Sequence, residues 1–350
     1  MESFTATVRM DLVQFALADH LDLGIHQMDA KAAYLNAPLK ERVYVQAPEG
    51  YPVAPGHCWR LNMTMYGLHQ GAYNWQIELT GQLSKCQFCK CLLDESVWTR
   101  SEADCFTISM SYVDDIVVCC TKGHAERIKA EMKGIYDCKD PGEAQHFLGM
   151  KITRDREAGT PTLNMPAYID RIIDRMGLRA ANTAVSPTNT SVKHEPRPEG
   201  ENAPYYPYNR AIGQLMWLSV TCRPDITFSD NLLTTFLHNF DTAQITAVKR
   251  VYRWLKATIE LGLTYNRNHK PFMEVGYVDS DFASQADLPS ISGNAFMFGR
   301  GAVSWTSKRQ NDIATSTSQA EFTSCYTGSS QAECIRMFLG KPSCKTTAPM

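Results

Sequence analysis

Two short apolar runs, Phe106 to Met110 and Ile116 to Cys120, are separated by Tyr112-Val113-Asp114-Asp115. β-favouring runs broken by two adjacent acids predict a hairpin with the carboxylates at its tip. An acidic turn is ordinary in itself, since Asp is a common turn residue. Turn acids usually come with Gly or Asn, however, and here both flanks stay apolar. Two like charges in a half-buried place are costly unless something cationic sits beside them. Such a pair suits Mg²⁺, a hard ion that takes oxygen ligands and keeps positions open for phosphate. The rest of the chain is therefore read for a third carboxylate and a phosphate-bearing substrate.

With 350 residues the chain can bury a sizeable core and is expected to form two or three domains. Its 35 Lys and Arg against 37 Asp and Glu give a net charge of −2, so no global basic field advertises nucleic acid. Any such contact has to rest on local patches. No apolar run is long enough to span a membrane, and the first residues lack a signal-peptide core. The twelve cysteines read as free thiols of an intracellular, non-secreted protein rather than a disulfide framework. Cys86, Cys89 and Cys91 have no equally spaced second half and read as packing rather than a zinc site.

Val8, Leu12, Phe15 and Ala16 recur at helical spacing and predict an opening helix. After a turn at 22–24, the β-like Ile25-His26-Gln27-Met28-Asp29 ends in an acid, and the helix-favouring Ala30 to Leu35 closes at Asn36 and Pro38. An acid at a strand end before a helix is a common metal-ligand position. Taken alone, Asp29 reads as an N-cap. Val43-Tyr44-Val45 predicts a strand, 48–51 a turn, and a helix is expected from near Ala72 past Leu83.

At this point the order of motifs resembles the Copia-type LTR-retrotransposon reverse transcriptases. Gln27-Met28-Asp29-Ala30-Lys31-Ala32-Ala33-Tyr34-Leu35-Asn36 is similar to that family's first catalytic block. Val43 to Tyr51 and Tyr66-Gly67-Leu68-His69-Gln70 are similar to the next two. Tyr112-Val113-Asp114-Asp115 resembles the polymerase signature, and Phe147-Leu148-Gly149-Met150 the block that grips the primer end. Arg223-Pro224-Asp225-Ile226 and Ser304-Trp305-Thr306-Ser307-Lys308 follow in the same order, so the resemblance covers nearly the whole chain.

The resemblance implies two-metal nucleotidyl transfer with Mg²⁺, in which Asp29 and Asp114 bridge the ions and Asp115 is the more peripheral acid. It places Tyr34 where an aromatic screens the sugar 2′ position of the incoming nucleotide; on sequence alone Tyr34 reads equally as a core aromatic. Gln70 falls beside nucleotide and template, followed here by Gly71-Ala72 where the family pattern has Ala-Pro. Phe147, Leu148, Gly149 and Met150 are the implied primer grip, and without the resemblance they read as an apolar strand. The implied partners are an RNA or DNA template-primer and deoxynucleoside triphosphates, with no membrane and no identifiable partner protein. The Lys/Arg-rich fingers segment expected upstream of Asp29 is missing, which leads to an expectation of poor triphosphate binding and a low rate.

Residues 186–207, rich in Pro, Asn, Glu and Lys, read as a linker. Three helical patches follow, at 212–220, 226–240 and 243–259. The last carries Lys249, Arg250, Arg253 and Lys256, a local basic face that, with the resemblance counted, is expected to touch the template-primer backbone. Strands are expected at 272–278, 295–298 and 302–305, then a helix over 318–339. That order is similar to the start of a ribonuclease H fold, with Asp279 and Glu321 in the positions of two catalytic acids. Its third acid has no counterpart, since 341–350 contains no Asp or Glu, and Leu288-Pro289 stands where the pattern has paired Arg. An incomplete module is expected.

The expected fold is α+β: a right-hand polymerase palm and thumb lacking most of the fingers (1–185), a linker (186–207), a helical connection (208–270) and a partial ribonuclease H-like module (271–350). Two readings follow. One is a working RNA-directed DNA polymerase; the other is a remnant that binds Mg²⁺ and nucleic acid with weak or no turnover.

Overall fold

A computed structural model describes residues 11–269, 275–282, 290–311 and 313–340. The expectations that fall on Val8, on 272–274, on Leu288-Pro289 and on the tail 341–350 lie outside them. The chain is mixed α and β with antiparallel sheets, and it divides into two compact units, one built mainly on 21–144 and the other on 145–336. Helix α1 (Asp11–His20) straddles the division.

Strands of the first unit are β1 (Gly24–Ala30), β2 (Tyr44–Val45), β3 (Trp59–Arg60), β4 (Cys89–Lys90), β5 (Val97–Ser101), β6 (Phe106–Tyr112), β7 (Asp115–Cys120) and β8 (Cys138–Glu143). Six of them form one sheet in the order β4-β5-β6-β7-β1-β8, every neighbour antiparallel. β2 and β3 make a separate two-stranded hairpin. Helices α2 (Gly71–Lys85) and α3 (Ala125–Ile135) belong to the same unit. Trp75, Leu79 and Leu83 of α2 and Ile128 and Met132 of α3 share one buried cluster with Met28, Ile116, Val118 and Cys120 of the sheet. Alternation along a strand then sends Asp29, Asp115 and Gln27 to the opposite face. Burial pushes the Cys120 thiol up to about 11, so this residue packs as a small hydrophobe.

One element is shorter than the composition predicts. After β1 only a single 3₁₀ turn forms, Ala33–Asn36, preceded by Ala32 in the left-handed region at φ 51°. The Ala-rich composition favours a longer helix, but Asn36 turns back to donate to the Lys31 and Ala32 carbonyls and closes the segment at one turn.

In the second unit β9 (His146–Phe147), β10 (Met150–Asp155), β11 (Thr160–Asn164) and β12 (Leu263–Thr264) form a four-stranded sheet. Helix α4 (Pro166–Arg175) is followed by a long segment without regular structure up to Pro207, which begins ten residues before the 186–207 stretch singled out by composition. Helices α5 (Tyr208–Thr221), α6 (Thr227–Thr234) and α7 (Thr242–Ala257) follow. The last strands are β13 (Val275–Asp281), β14 (Ile291–Phe298) and β15 (Gly301–Arg309), an antiparallel sheet of three, and α8 (Thr317–Gly340) comes after them.

The basic face of α7 is engaged with the irregular segment of its own unit. Arg250 donates to the carbonyl and hydroxyl of Ser186, Arg253 to the carbonyls of Asn182 and Thr183, and Lys256 to those of Arg179 and Ala181. Lys249 lies over the Tyr206 ring. These cations strap the irregular segment onto the helix, where backbone carbonyls without ladder partners need donors.

The Arg223-Pro224-Asp225-Ile226 motif is likewise structural. Arg223 is fully buried and grips Asp225 with two bonds of 2.8 and 2.7 Å, while also donating to the carbonyl and hydroxyl of Thr258. Trp254 Nε1 donates to the same carboxylate at 2.7 Å. Burial alone would push Asp225 up, but the Arg223 guanidinium overrides it and holds the carboxyl below its ordinary range. Trp305, from the second late motif, donates its indole N–H to the Ser219 carbonyl. Among the described residues no helix is long and apolar enough to cross a membrane.

Candidate active site

β6 and β7 meet in a two-residue turn, Val113-Asp114, with Tyr112 and Asp115 paired across its base. The hairpin forms where its sequence predicts, but only Asp114 lies in the turn, Asp115 being the first residue of β7, and its geometry is unusual. Val113 has φ 58°, a left-handed value that a β-branched residue rarely adopts. Both central carbonyls of the turn are taken by donors from other elements. Trp75 Nε1 of α2 donates to the Val113 oxygen at 2.6 Å, and the Ala30 amide at the end of β1 donates to the Asp114 oxygen at 2.8 Å.

Tertiary pairing then brings the distant acid in. β1 lies beside β7 with Asp29 directly opposite Asp115. On the other side of β1, a bulge opposite 27–29 puts Lys139 of β8 across from Asp29, and its Nζ lies 3.4 Å from the Asp29 carboxylate. Tyr112, Asp115, Asp29 and Lys139 thus form one row across the sheet. Gln27 Nε2, on the same face, donates to Asp115 Oδ1 at 3.2 Å.

Burial raises the Asp115 carboxyl above its ordinary range; the Gln27 bond works against this, and the charges of Asp114 and Asp29 add to it. A carboxylate destabilised by two like-charged neighbours is a place where a cation gains most. Among the described residues no three His, Cys, Asp or Glu side chains converge as a ready-made cage. Mg²⁺ does not need one, because it is bound through one or two carboxylates with waters and substrate phosphates completing its shell. Hard oxygen donors on one sheet face, with Lys139 already standing in as counter-charge, fit that ion.

Tyr34 sits on the 3₁₀ turn after β1, half-buried, and its ring stacks obliquely on that of Tyr66 with centroids 4.6 Å apart. Burial raises both phenols, and the Asp114 charge raises them further. Thr64 Oγ1 donates to the Tyr34 carbonyl and ties down the turn. Gln70 caps α2 through its backbone, its carbonyl accepting from the Asn74 amide, and its side chain makes no cap hydrogen bond. Gly71 follows it, where an added Cβ would stand 3.4 Å from both the Met65 carbonyl and the Tyr34 ring.

Phe147-Leu148-Gly149-Met150, in the second unit, is not a plain strand. It is a tight hairpin with Phe147 paired to Met150 and both turn residues in the left-handed region, at φ 50° and 78°. Phe147 and Met150 are buried, and Phe147 packs on Phe15 with centroids 5.5 Å apart.

Asp279 is exposed on β13, and Glu321 is half-buried on α8. Helix α8 packs on the sheet through Gly328 against Val278, Ser324 against Ser292 and Gln331 against Ser304. By alternation Asp279, next to Val278, points to the other face of that sheet. These two acids are therefore not gathered on one face as Asp29 and Asp115 are.

Sequence reading missed Lys139, Trp75 and Gln27. Only Gln27 carried a signal, two residues before Asp29 on the same strand face.

Residues 1–190 match the family model described as reverse transcriptase (RNA-dependent DNA polymerase). A retrovirus-related Pol polyprotein from transposon TNT 1-94 of Nicotiana tabacum is 33% identical over 334 residues, 92% of this chain and 25% of that protein. The corresponding polyprotein from transposon RE1 of Arabidopsis thaliana is 26% identical over 359 residues, 99% of this chain and 24% of its own length. A putative transposon Ty5-1 protein of Saccharomyces cerevisiae is 29% identical over 290 residues, 82% of this chain and 94% of that protein. The chain belongs to the reverse transcriptase (RNA-dependent DNA polymerase) family, in the form carried by Copia-type retrotransposon Pol polyproteins. It spans about a quarter of the length of the polyprotein relatives it matches.

Proposed function

We propose that this chain extends a primer on a nucleic-acid template with Mg²⁺, using Asp29, Asp114 and Asp115 as the metal-binding acids. The observation that carries the reading is the register of Asp29 against Asp115 beside the turn that presents Asp114. Bound there, Mg²⁺ supplies charge neutralisation at the triphosphate and lowers the cost of deprotonating the primer hydroxyl. Asp29 of β1 and Asp114 of the turn would hold the ions as the bridging pair, with Asp115 of β7 as the more peripheral acid. Gln27 fixes the Asp115 carboxylate in one orientation through its 3.2 Å bond. Lys139, whose Nζ lies 3.4 Å from the Asp29 carboxylate, would offer a cation to a phosphate at this face. Tyr34, backed by Tyr66, offers an aromatic wall to the sugar, and Gln70 a polar contact to the nucleotide. The 147–150 hairpin is assigned to the primer end.

In this reading the first unit is the palm, 1–185 the polymerase region, 186–207 a linker, 208–270 a helical connection, and 271–350 an incomplete ribonuclease H-like module holding Asp279 and Glu321. Substrates of this kind, nucleoside triphosphates and template, place the work inside a cell.

A second reading, metal and template binding without turnover, is supported by Lys139, 3.4 Å from the Asp29 carboxylate, being the sole ion-pair partner of the three acids among the described residues. Primer extension on an RNA template, run beside Asp114→Asn, separates the two. Extension lost in the variant establishes the polymerase. No extension, with Mg²⁺ binding lost in the variant, establishes the second reading. Wild-type protein that neither extends a primer nor binds Mg²⁺ overturns both.

A further inference from the structure

The acidic turn is held in a conformation its own sequence disfavours. With only its first central residue at positive φ, the Val113-Asp114 turn has the pattern of a II′ hairpin, whose first position normally holds Gly. A side chain in the left-handed region costs about 1–2 kcal/mol, and a β-branched one is a genuine outlier there. Something outside the hairpin has to keep Val113 in place. The candidate is Trp75, whose indole N–H donates to the Val113 carbonyl from a ring that is only 2% exposed and packs on Tyr136 at 5.0 Å. The Val113 carbonyl belongs to the peptide that leads directly into Asp114, so rotating it would swing both carboxylates.

We propose that Trp75 is a positioning residue for the acidic site: it clamps the Val113 carbonyl and so fixes the strained turn that aims Asp114 and Asp115. This rests on the reading of those acids as metal ligands. The alternative is that Trp75 merely fills the core and satisfies its own donor. A core role predicts lost stability with unchanged metal affinity, whereas a clamp predicts lost affinity in a protein that still folds.

The test is Mn²⁺ titration, reading free Mn²⁺ by electron paramagnetic resonance, on the full chain, Trp75→Phe and Asp114→Asn. A second arm follows the ¹⁹F resonance of 5-fluorotryptophan at position 75, assigned by its absence from W75F, as Mg²⁺ is added. Partners that orient metal ligands typically cost roughly 10-fold or more in affinity when removed. W75F is expected to bind Mn²⁺ about 10-fold more weakly with an unchanged circular dichroism spectrum. The wild-type ¹⁹F resonance is expected to move with Mg²⁺ and to stay still in D114N. Equal Mn²⁺ affinity in W75F overturns the inference and leaves the proposed function standing. Should W75F fail to fold, the wild-type ¹⁹F response decides: a resonance unmoved by Mg²⁺ overturns the clamp. Wild-type protein that binds no Mn²⁺ overturns the proposed function and this inference with it.

Discussion

Asp29 and Asp115 are direct cross-strand partners, 86 positions apart in the chain and opposite one another in the sheet. Paired residues in such a ladder have Cβ atoms about 4.5–5.5 Å apart, and like charges there are destabilising. Without metal, Asp115→Asn is expected to stabilise the protein by about 0.5–1 kcal/mol. With Mg²⁺ the order reverses. A ligand at a hundred times its dissociation constant stabilises the native state by about 2.7 kcal/mol, which the wild type gains and the variant does not. Urea unfolding with and without Mg²⁺ checks both signs; a variant that gains as much as the wild type would sink the metal assignment.

Arg223 is a fully buried charge in the second unit, ion-paired with Asp225. Removing one partner of a buried ion pair costs about 3–5 kcal/mol, because the other charge is left uncompensated. Arg223→Met is expected to lose that much, and Asp225→Asn to lose less once Arg223 is already gone. A double-mutant cycle by urea denaturation measures the coupling. Additive losses would mean that the Thr258 contacts, rather than the pair, carry the stability.

Asp230 gives the chain a pH signature. It is buried on α6, with Ser219 Oγ donating to it at 2.8 Å, and burial raises its carboxyl to about 6. A carboxyl raised on folding favours the native state below its unfolded pKa of 3.8, and that contribution is lost as pH rises through about 6. Two units correspond to about 3 kcal/mol. Asp230→Asn keeps an acceptor for Ser219 without the ionisation. It is expected to match the wild type near pH 4 and to exceed it by roughly 1–3 kcal/mol above pH 7. Parallel stability curves for the two proteins across that range would refute the assignment.

Gly71 opens α2 beside the Tyr34 ring, at a φ that any residue accepts. Ala there gains helix propensity of up to about 1 kcal/mol and meets only ordinary contact. Gly71→Ala is expected to raise the midpoint of thermal unfolding slightly without changing nucleotide binding. A lower midpoint would show that the added methyl is not accommodated beside the Tyr34 ring.

What the sequence determined by itself is local. The turn acids between apolar runs, the α2 helix, the irregular 186–207 segment and the order of the late strands are all legible, because hairpins and helices depend on neighbours a few residues away. Even the blocks that resemble the family are contiguous stretches. Tertiary structure decided which of these residues meet. The opposition of Asp29 and Asp115 is a strand register, and the bulge that sets Lys139 across from Asp29 is a feature of pairing that no local pattern announces. The same holds for the α7 cations, which look like a nucleic-acid face in sequence and are consumed by carbonyls of the irregular segment. Ala30 to Leu35 read as helix until Asn36 closed it at one turn. Trp75 lies inside the helix expected from near Ala72, but its indole donor finds the Val113 carbonyl only through the packing of α2. A side chain's type fixes what it can bond; only packing brings the distant acceptor, charge or ring within reach.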